Sequence, residues 1–192
     1  AMLLSPTASG KSLIIYILIR WFLEDPPGTR ALLIVPPPSL VAPMFTAFPD
    51  YSPFDETWNN EAECHRIYSG KEKMDIRSRV VITTWQSIYK MRPEWFELYG
   101  MVIGDEAHNF KAKSLSSIME KLRDAKYRIG TTGTLDGTQT HKLVLEGLFG
   151  PVKKVITTKE LMDSDALAQL SIDVLLLKYA DEYCQHVKKL DY

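Results

Sequence analysis

The segment Ser5-Pro6-Thr7-Ala8-Ser9-Gly10-Lys11-Ser12 constrains this chain most, because it lies between a short apolar run, Met2 to Leu4, and a helical pattern from about Lys11 to Leu23. A tight turn from strand to helix aims backbone N–H groups and a helix N-terminus at one point, where an anionic phosphate binds. In that reading Pro6, Thr7, Ala8, Ser9 and Gly10 wrap the phosphates, and Gly10 lets the backbone approach closely. Lys11 reaches the β- and γ-phosphates of ATP, and Ser12 ligates Mg2+. Ser5 stands where such loops usually carry their first glycine. The alternative is an ordinary strand–helix turn with a chance Gly-Lys-Ser.

Further along, short apolar runs alternate with helical patterns. Ala31 to Val35 is continuously apolar, as in a strand buried on both faces. Arg66 to Tyr68, Val80 to Thr83, Met101 to Ile103 and Tyr127 to Thr131 read as further strands, with Ser114 as the N-cap of a helix to about Arg123. Pro36-Pro37-Pro38 and the polar stretch Asp55 to Glu63 read as loops. Strands separated by helices predict an α/β fold with a parallel sheet and right-handed crossovers. Such a sheet presents its functional groups at the carboxyl ends of its strands.

Two further motifs fall at those ends. Gly104-Asp105-Glu106-Ala107-His108 follows Met101–Ile103 directly. Asp105 there can hold Mg2+ through its water shell, and Glu106 can orient or deprotonate an attacking water. Two adjacent carboxylates after an apolar strand call for such a reason, since an unpaired buried charge is costly; the bland alternative is a solvated turn. Thr132-Gly133-Thr134 ends another strand, and its place after the other two motifs makes it a candidate coupling element.

Composition narrows the class. With 45% hydrophobic and 24% charged residues the chain can build a core, which excludes intrinsic disorder. The 23 Lys+Arg against 24 Asp+Glu give a formal net charge of -1, so nucleic-acid binding has to use a local patch. The longest apolar run, Leu13 to Ile19, is shorter than the ~20 residues that cross a bilayer, and reads as a buried helix. The N-terminal residues lack the basic region and cleavage site of a signal peptide. Cys64 and Cys184 lie far apart without metal-ligand spacing, so the expectation is a reducing, cytosolic compartment and no membrane association.

Phosphate loop, Asp-Glu-Ala-His and Thr-Gly-Thr, in this order, resemble motifs I, II and III of the superfamily-two helicases, where the Pro-Thr-x-x-Gly-Lys-Ser form of the loop is common. Leu33 through Leu40 resembles motif Ia, which touches the nucleic-acid backbone, and Thr84-Trp85-Gln86-Ser87 resembles the next DNA-contacting motif. More narrowly, the chain is similar to the UvsW-type DNA helicases of tailed phages. That likeness runs from Tyr99 through Lys113-Ser114-Leu115-Ser116-Ser117-Ile118, Gly133 to Gly137, Leu148-Phe149-Gly150 and Thr158 to Met162.

The resemblance implies a RecA-like three-layer sandwich, mostly parallel in its central sheet, with helices on both faces. It implies two such lobes with ATP between them, translocation on DNA, and unwinding of branched structures and hybrids in recombination and replication restart. The expected partners are branched, single-stranded or hybrid DNA and a second lobe of the same protein, acting as a monomer, in the host cytoplasm if phage-encoded. Carried over, Lys11 and Ser12 bind phosphate and Mg2+, Asp105 and Glu106 serve hydrolysis, and His108, Thr132, Gly133 and Thr134 couple hydrolysis to movement. Motif Ia departs from its usual form at Pro37, where Thr is common, and at Pro43, often Gln. Pro43 predicts that the helix after Ser39 starts late.

Residues 1–165 are expected to be the ATP-binding lobe, and 166–192 the start of a connector to a second lobe outside this chain, with Ile172 to Leu177 strand-like and Asp181 to Leu190 helical. Pro36, Ser39 and Leu40, Ser69, Gly70 and Lys71, and Thr84, Trp85 and Gln86 are the candidate DNA contacts. Ser69-Gly70-Lys71 reads equally as a solvated turn, and Trp85 reads as a stacking platform or as core. Arg66, Lys71, Lys73, Arg77 and Arg79 form a positive cluster that is either a solvated face or part of that DNA edge. Trp21 and Phe22 read as core, and Trp95 and Phe96 as packing a short helix on the sheet. His65, His141 and His186 lack ligand partners at useful spacing. A restriction-system motor shares all three motifs. A P-loop binding module without motor function is the other class, and Glu106 argues against it, because a pure binder needs no hydrolytic carboxylate.

Overall fold

The computed structural model describes residues 1–24, 30–53, 55, 57–68, 77–109, 112–135, 139–169 and 173–178. Its strands are β1 (Met2–Leu4), β2 (Ala31–Val35), β3 (Cys64–Ile67), β4 (Val80–Thr84), β5 (Met101–Gly104), β6 (Tyr127–Thr132) and β7 (Val152–Lys154). They form one seven-stranded sheet in the order β3-β4-β2-β5-β6-β1-β7, and every described pairing is parallel. The helices are α1 (Lys11–Leu23), α2 (Val41–Tyr51), α3 (Asn60–Glu63), α4 (Trp85–Ile88), α5 (Pro93–Phe96), α6 (Ala112–Lys121), α7 (Gln139–Phe149) and α8 (Thr158–Asp163).

Alternation along the central strands feeds two cores, one on each face. Leu32 and Ile34 of β2 join Val81 and Val102 against Ile88, Phe96, Leu115, Ile118, Met119, Leu145 and Phe149. On the other face Leu33 and Val35, with Ile82 and Ile103, pack against Ile15, Ile19 and Phe22 of α1 and Met44, Phe45 and Phe48 of α2. This is the α/β sandwich expected, helices on both faces of a parallel sheet.

Local chemistry explains the differences from expectation. The helix after Ser39 does start late, at Val41, behind a 3-10 turn over Pro38–Leu40. Pro43 therefore falls in the first turn of α2, where its missing N–H breaks no helical bond. Pro49 lies inside α2 and leaves the Phe45 carbonyl without its helical donor; Asn60 Nδ2 donates to that oxygen instead, at 2.9 Å. Within the polar stretch read as loop, Asn60–Glu63 makes one helical turn, because the Asn59 side chain caps it by accepting from the Ala62 N–H. Ser114 is no N-cap: α6 already begins at Ala112, and the 3-4 spacing of Leu115, Ile118, Met119 and Leu122 sets its buried face.

Helix α1 is buried on one side only. Trp21, read as core, is 50% exposed, with Ile17 and Leu13 exposed one and two turns before it. The sheet takes Ile15, Ile19 and Phe22, while Trp21 falls on the opposite side and rests edge-on against Tyr127. Trp95 and Phe96 pack α5 against the sheet as expected. In the positive cluster, Arg66 lies over the Phe45 ring at 3.8 Å, and Arg79 donates to the Leu23 carbonyl. These two arginines are thus engaged within the fold. Lys71 and Lys73 lie outside the described residues. So do Cys184, His186 and the helix expected at Asp181 to Leu190. Residues 173–178 are exposed and without regular structure, not the expected strand. A strand needs neighbouring backbone to pair with, and no described residue pairs with this one. No described helix is long and apolar enough to cross a membrane.

Gly130 lets β6 lie against β1 and α7. A Cβ there would collide with the Met2 sulfur and meet two Phe149 ring carbons at 3.1 Å. Gly130→Ala is expected to destabilise the protein by about 1–3 kcal/mol through this overpacking, read as a lower denaturant midpoint at unchanged m-value.

Candidate functional site at the carboxyl edge of the sheet

Because the strands run parallel, the residues that follow β1, β5 and β6 emerge at one edge. After β1 the chain bends around Pro6, with the Ser9 N–H bonding back to the Pro6 carbonyl. Ala8 and Gly10 both take positive φ, 64° and 78°. Gly10 tolerates this at no steric cost; at Ala8 it is a strained turn. Gly10 caps α1 with no side chain on its first N–H groups, so these donors stay directed at the loop's concavity. Ser5, in place of the usual glycine, is buried and its Oγ lies 2.6 Å from Ser9 Oγ. Its hydroxyl thus braces the loop from below.

Asp105 and Glu106 follow β5. Asp105 is 7% exposed. Its Oδ1 accepts from the Thr131 hydroxyl at 2.7 Å and from the Glu106 N–H at 3.0 Å. Burial holds the Asp105 carboxyl above its ordinary range, and the Thr131 bond offsets only part of that rise. Glu106 has φ 45°, and its Oε1 pairs with Lys11 Nζ at 3.3 Å. That contact brings the loop lysine and the second carboxylate together across two motifs almost a hundred residues apart.

The third motif closes the group. His108 Nδ1 lies 2.6 Å from Thr132 Oγ1 and 3.5 Å from Glu106 Oε2. Thr132 Oγ1 donates to the Thr134 carbonyl at 2.6 Å. Gly133 sits over the loop that follows β1: a Cβ on it would fall 3.6 Å from Lys11 Nζ and 3.7 Å from the Ser5 carbonyl. Lys11, Asp105, Glu106, His108, Thr132 and Gly133 are therefore one connected cluster. Ser12, at the second position of α1, bonds its hydroxyl to no described residue. A cation with a triphosphate suits this set: uncapped helix N–H groups, one lysine, one serine hydroxyl and two carboxylates, one of them buried.

The candidate DNA contacts divide. Val35 and Thr84 are register partners in the neighbouring strands β2 and β4, so Pro36, Ser39 and Leu40 emerge beside Thr84, Trp85 and Gln86 at the same edge. Ser39 and Gln86 are exposed, Leu40 and Trp85 half-buried, Pro36 and Thr84 buried. Trp85 packs on the core, with its ring 6.1 Å from that of Tyr89. Thr84 Oγ1 lies 3.0 Å from Ser87 Oγ. Ser69, Gly70 and Lys71 lie outside the described residues. Thr131 was missed from sequence, read only as the end of a strand. The register Gly104 with Gly130, carried one step further, sets Thr131 beside Asp105; the available signal was its place directly before the third motif. Among the described residues no group of three or more His, Cys, Asp or Glu could hold a metal by itself.

A parallel sheet with this set of motifs at its carboxyl edge is a RecA-like lobe of the helicase type. The chain belongs to the family described as type III restriction enzyme, res subunit, which matches residues 1–137. It is 35% identical over 190 residues to the ATP-dependent DNA helicase UvsW of Enterobacteria phage T4, a match covering 97% of this chain and 37% of the phage protein. The chain thus spans little more than a third of that relative. The crystal structure of the T4 UvsW helicase is similar, with a TM-score of 0.68 at 36% identity over 80% of this chain and 54% of that one. The Hef helicase domain of Pyrococcus furiosus shares the fold, with a TM-score of 0.67 at 21% identity over 80% of this chain and 34% of that one.

Proposed function

We propose that the chain is the ATP-binding lobe of an ATP-dependent DNA helicase or translocase, working with a second RecA-like lobe on branched DNA and hybrids during recombination and replication restart. The observation that carries this reading is the Lys11–Glu106 contact at 3.3 Å, which brings a phosphate-loop lysine to a hydrolytic carboxylate in a chain similar to a DNA helicase over nearly its whole length. The family description favours one second reading, the motor of a restriction system; the closer likeness to UvsW ranks it below.

Each residue then has a task. The loop from Pro6 to Gly10 and the first N–H groups of α1 bind the triphosphate, and Lys11 leaves Glu106 to meet the γ-phosphate. Ser12 and Asp105 would hold Mg2+, which would supply positive charge to offset that of the phosphates. Glu106, relieved of Lys11, orients the attacking water and takes its proton. His108 and Thr132 sense whether Glu106 is engaged, and Gly133 and Thr134 pass that state to the DNA edge. There Ser39 and Gln86 are exposed to meet phosphates. Residues 1–165 form the lobe, residues 166–192 begin the connector, and the protein acts as a monomer.

Lys11→Ala is expected to abolish productive ATP binding in the full-length protein, because losing a charge-assisted phosphate contact costs about 2–3 kcal/mol. Unchanged ATPase activity in that variant would refute the loop assignment. Glu106→Gln keeps size and polarity, so nucleotide affinity is expected to persist while turnover falls about 10²–10⁴-fold. If this variant loses nucleotide binding instead, Glu106 is a ligand and the division of labour with Asp105 is wrong. Prepared alone, the lobe is expected to hydrolyse ATP feebly and to separate no forked duplex. A second lobe would supply the arginine finger, worth about 10³–10⁵-fold in phosphoryl transfer. Strand separation by the lobe alone, measured beside the full-length protein, would overturn the two-lobe reading.

A further inference from the structure

We propose that Thr131, outside the three motifs, is a positioning residue for Asp105: its hydroxyl pins one carboxylate oxygen so that the other is presented to Mg2+ and nucleotide. The inference rests on the function proposed above and extends it to a residue with no role there. β5 and β6 are neighbours, and Gly104 pairs with Gly130, so the next residue of each strand stands side by side. Thr131 Oγ1 donates to Asp105 Oδ1 at 2.7 Å, and the Glu106 N–H donates to the same oxygen at 3.0 Å. Both hydrogen bonds described for this carboxylate thus fall on Oδ1, and Oδ2 is the oxygen available to a metal-bound water.

The chemistry of the two side chains gives the arrangement its purpose. The terminal torsion of an aspartate is broad and nearly two-fold, so the group turns easily unless something holds it. Threonine is branched at Cβ and stiff at χ1 on a strand, which makes it a rigid donor. Thr131 is 1% exposed, so its hydroxyl meets no bulk solvent. A valine would fill the same buried space in β6. Packing therefore gives no reason for the hydroxyl, whereas a buried carboxylate does, since it is costly without donors. Lys11 is directed to Glu106, which leaves Thr131 as the side-chain donor on Asp105.

The test uses the full-length protein and a fluorescent ADP analogue, titrated with MgCl2 and, separately, in EDTA. Loss of an outer partner of a direct metal ligand typically costs about 10–100-fold in metal affinity, and Asp105, which would meet the metal through a bound water, sets Thr131 one step further out. With the Glu106 N–H still in place, Thr131→Val is expected at the lower end, needing about tenfold more Mg2+ for the same gain in nucleotide affinity. In EDTA its affinity should match the wild type. Thr131→Ser keeps the donor and is expected to recover most of the Mg2+ response. Urea midpoints for each protein separate a folding defect from a metal defect, and Thr131→Ala takes the place of valine if that variant does not fold. An unchanged Mg2+ requirement without the hydroxyl, or a serine variant no better than valine, overturns the proposal. A wild type that binds the analogue with no response to Mg2+ overturns it together with the metal role of Asp105. A wild type that binds no nucleotide overturns the proposed function itself, which sets the two failures apart.

Discussion

Buried backbone must be paired. Ala31–Val35, Val80–Thr84 and Met101–Gly104 are buried at every position, so water cannot take up their N–H and C=O groups and only neighbouring strands can. The strands pair in parallel, so the chain comes back to the same end before each of them. Side chains alternate into two cores, which leaves the faces to packing. The polar groups gather at the edge where the strands stop, with Ser5 after β1, Thr84 ending β4, Asp105 after β5 and Thr132 ending β6.

At that edge the chain concentrates charge in a partly desolvated place. Lys11 and Glu106 are paired, and Asp105 is held by Thr131 and by the backbone of its own neighbour. The arrangement is stable without a ligand because each charge has a partner, yet both members of the Lys11–Glu106 pair are groups a triphosphate would reassign. Exposed ion pairs are worth little. This one is partly exposed on both sides, so exchange of Glu106 for a phosphate oxygen costs little and gains a more highly charged partner.

Much of this was legible in the residues. Continuous apolar runs gave the central strands, and motif order gave the edge, since Gly10-Lys11-Ser12 and Asp105-Glu106 come after such runs and Thr132 ends the next strand. What the residues hid is what depends on two elements at once. Trp21 reads as core on any hydropathy scale, but the side of α1 that meets the sheet is chosen by Ile15, Ile19 and Phe22. The carbonyl freed by Pro49 finds its donor in Asn60, on another helix. The bond between Thr131 and Asp105 depends on strand register, which no single stretch of sequence displays. Strand β7 has three residues and no apolar run, so it gave no signal; it exists because β1 has an open edge beside it.

The short contacts around Thr132 have a consequence for where a proton resides. A hydroxyl has a single proton to donate, and that of Thr132 is directed to the Thr134 carbonyl. Toward His108, 2.6 Å away, Thr132 can then only accept. The imidazole must carry its hydrogen on Nδ1, the same nitrogen that faces Glu106 Oε2 at 3.5 Å. The peptide carbonyl of one residue in the third motif thereby selects the tautomer of a ring in the second, and any turn of Thr134 away from Thr132 removes that selection.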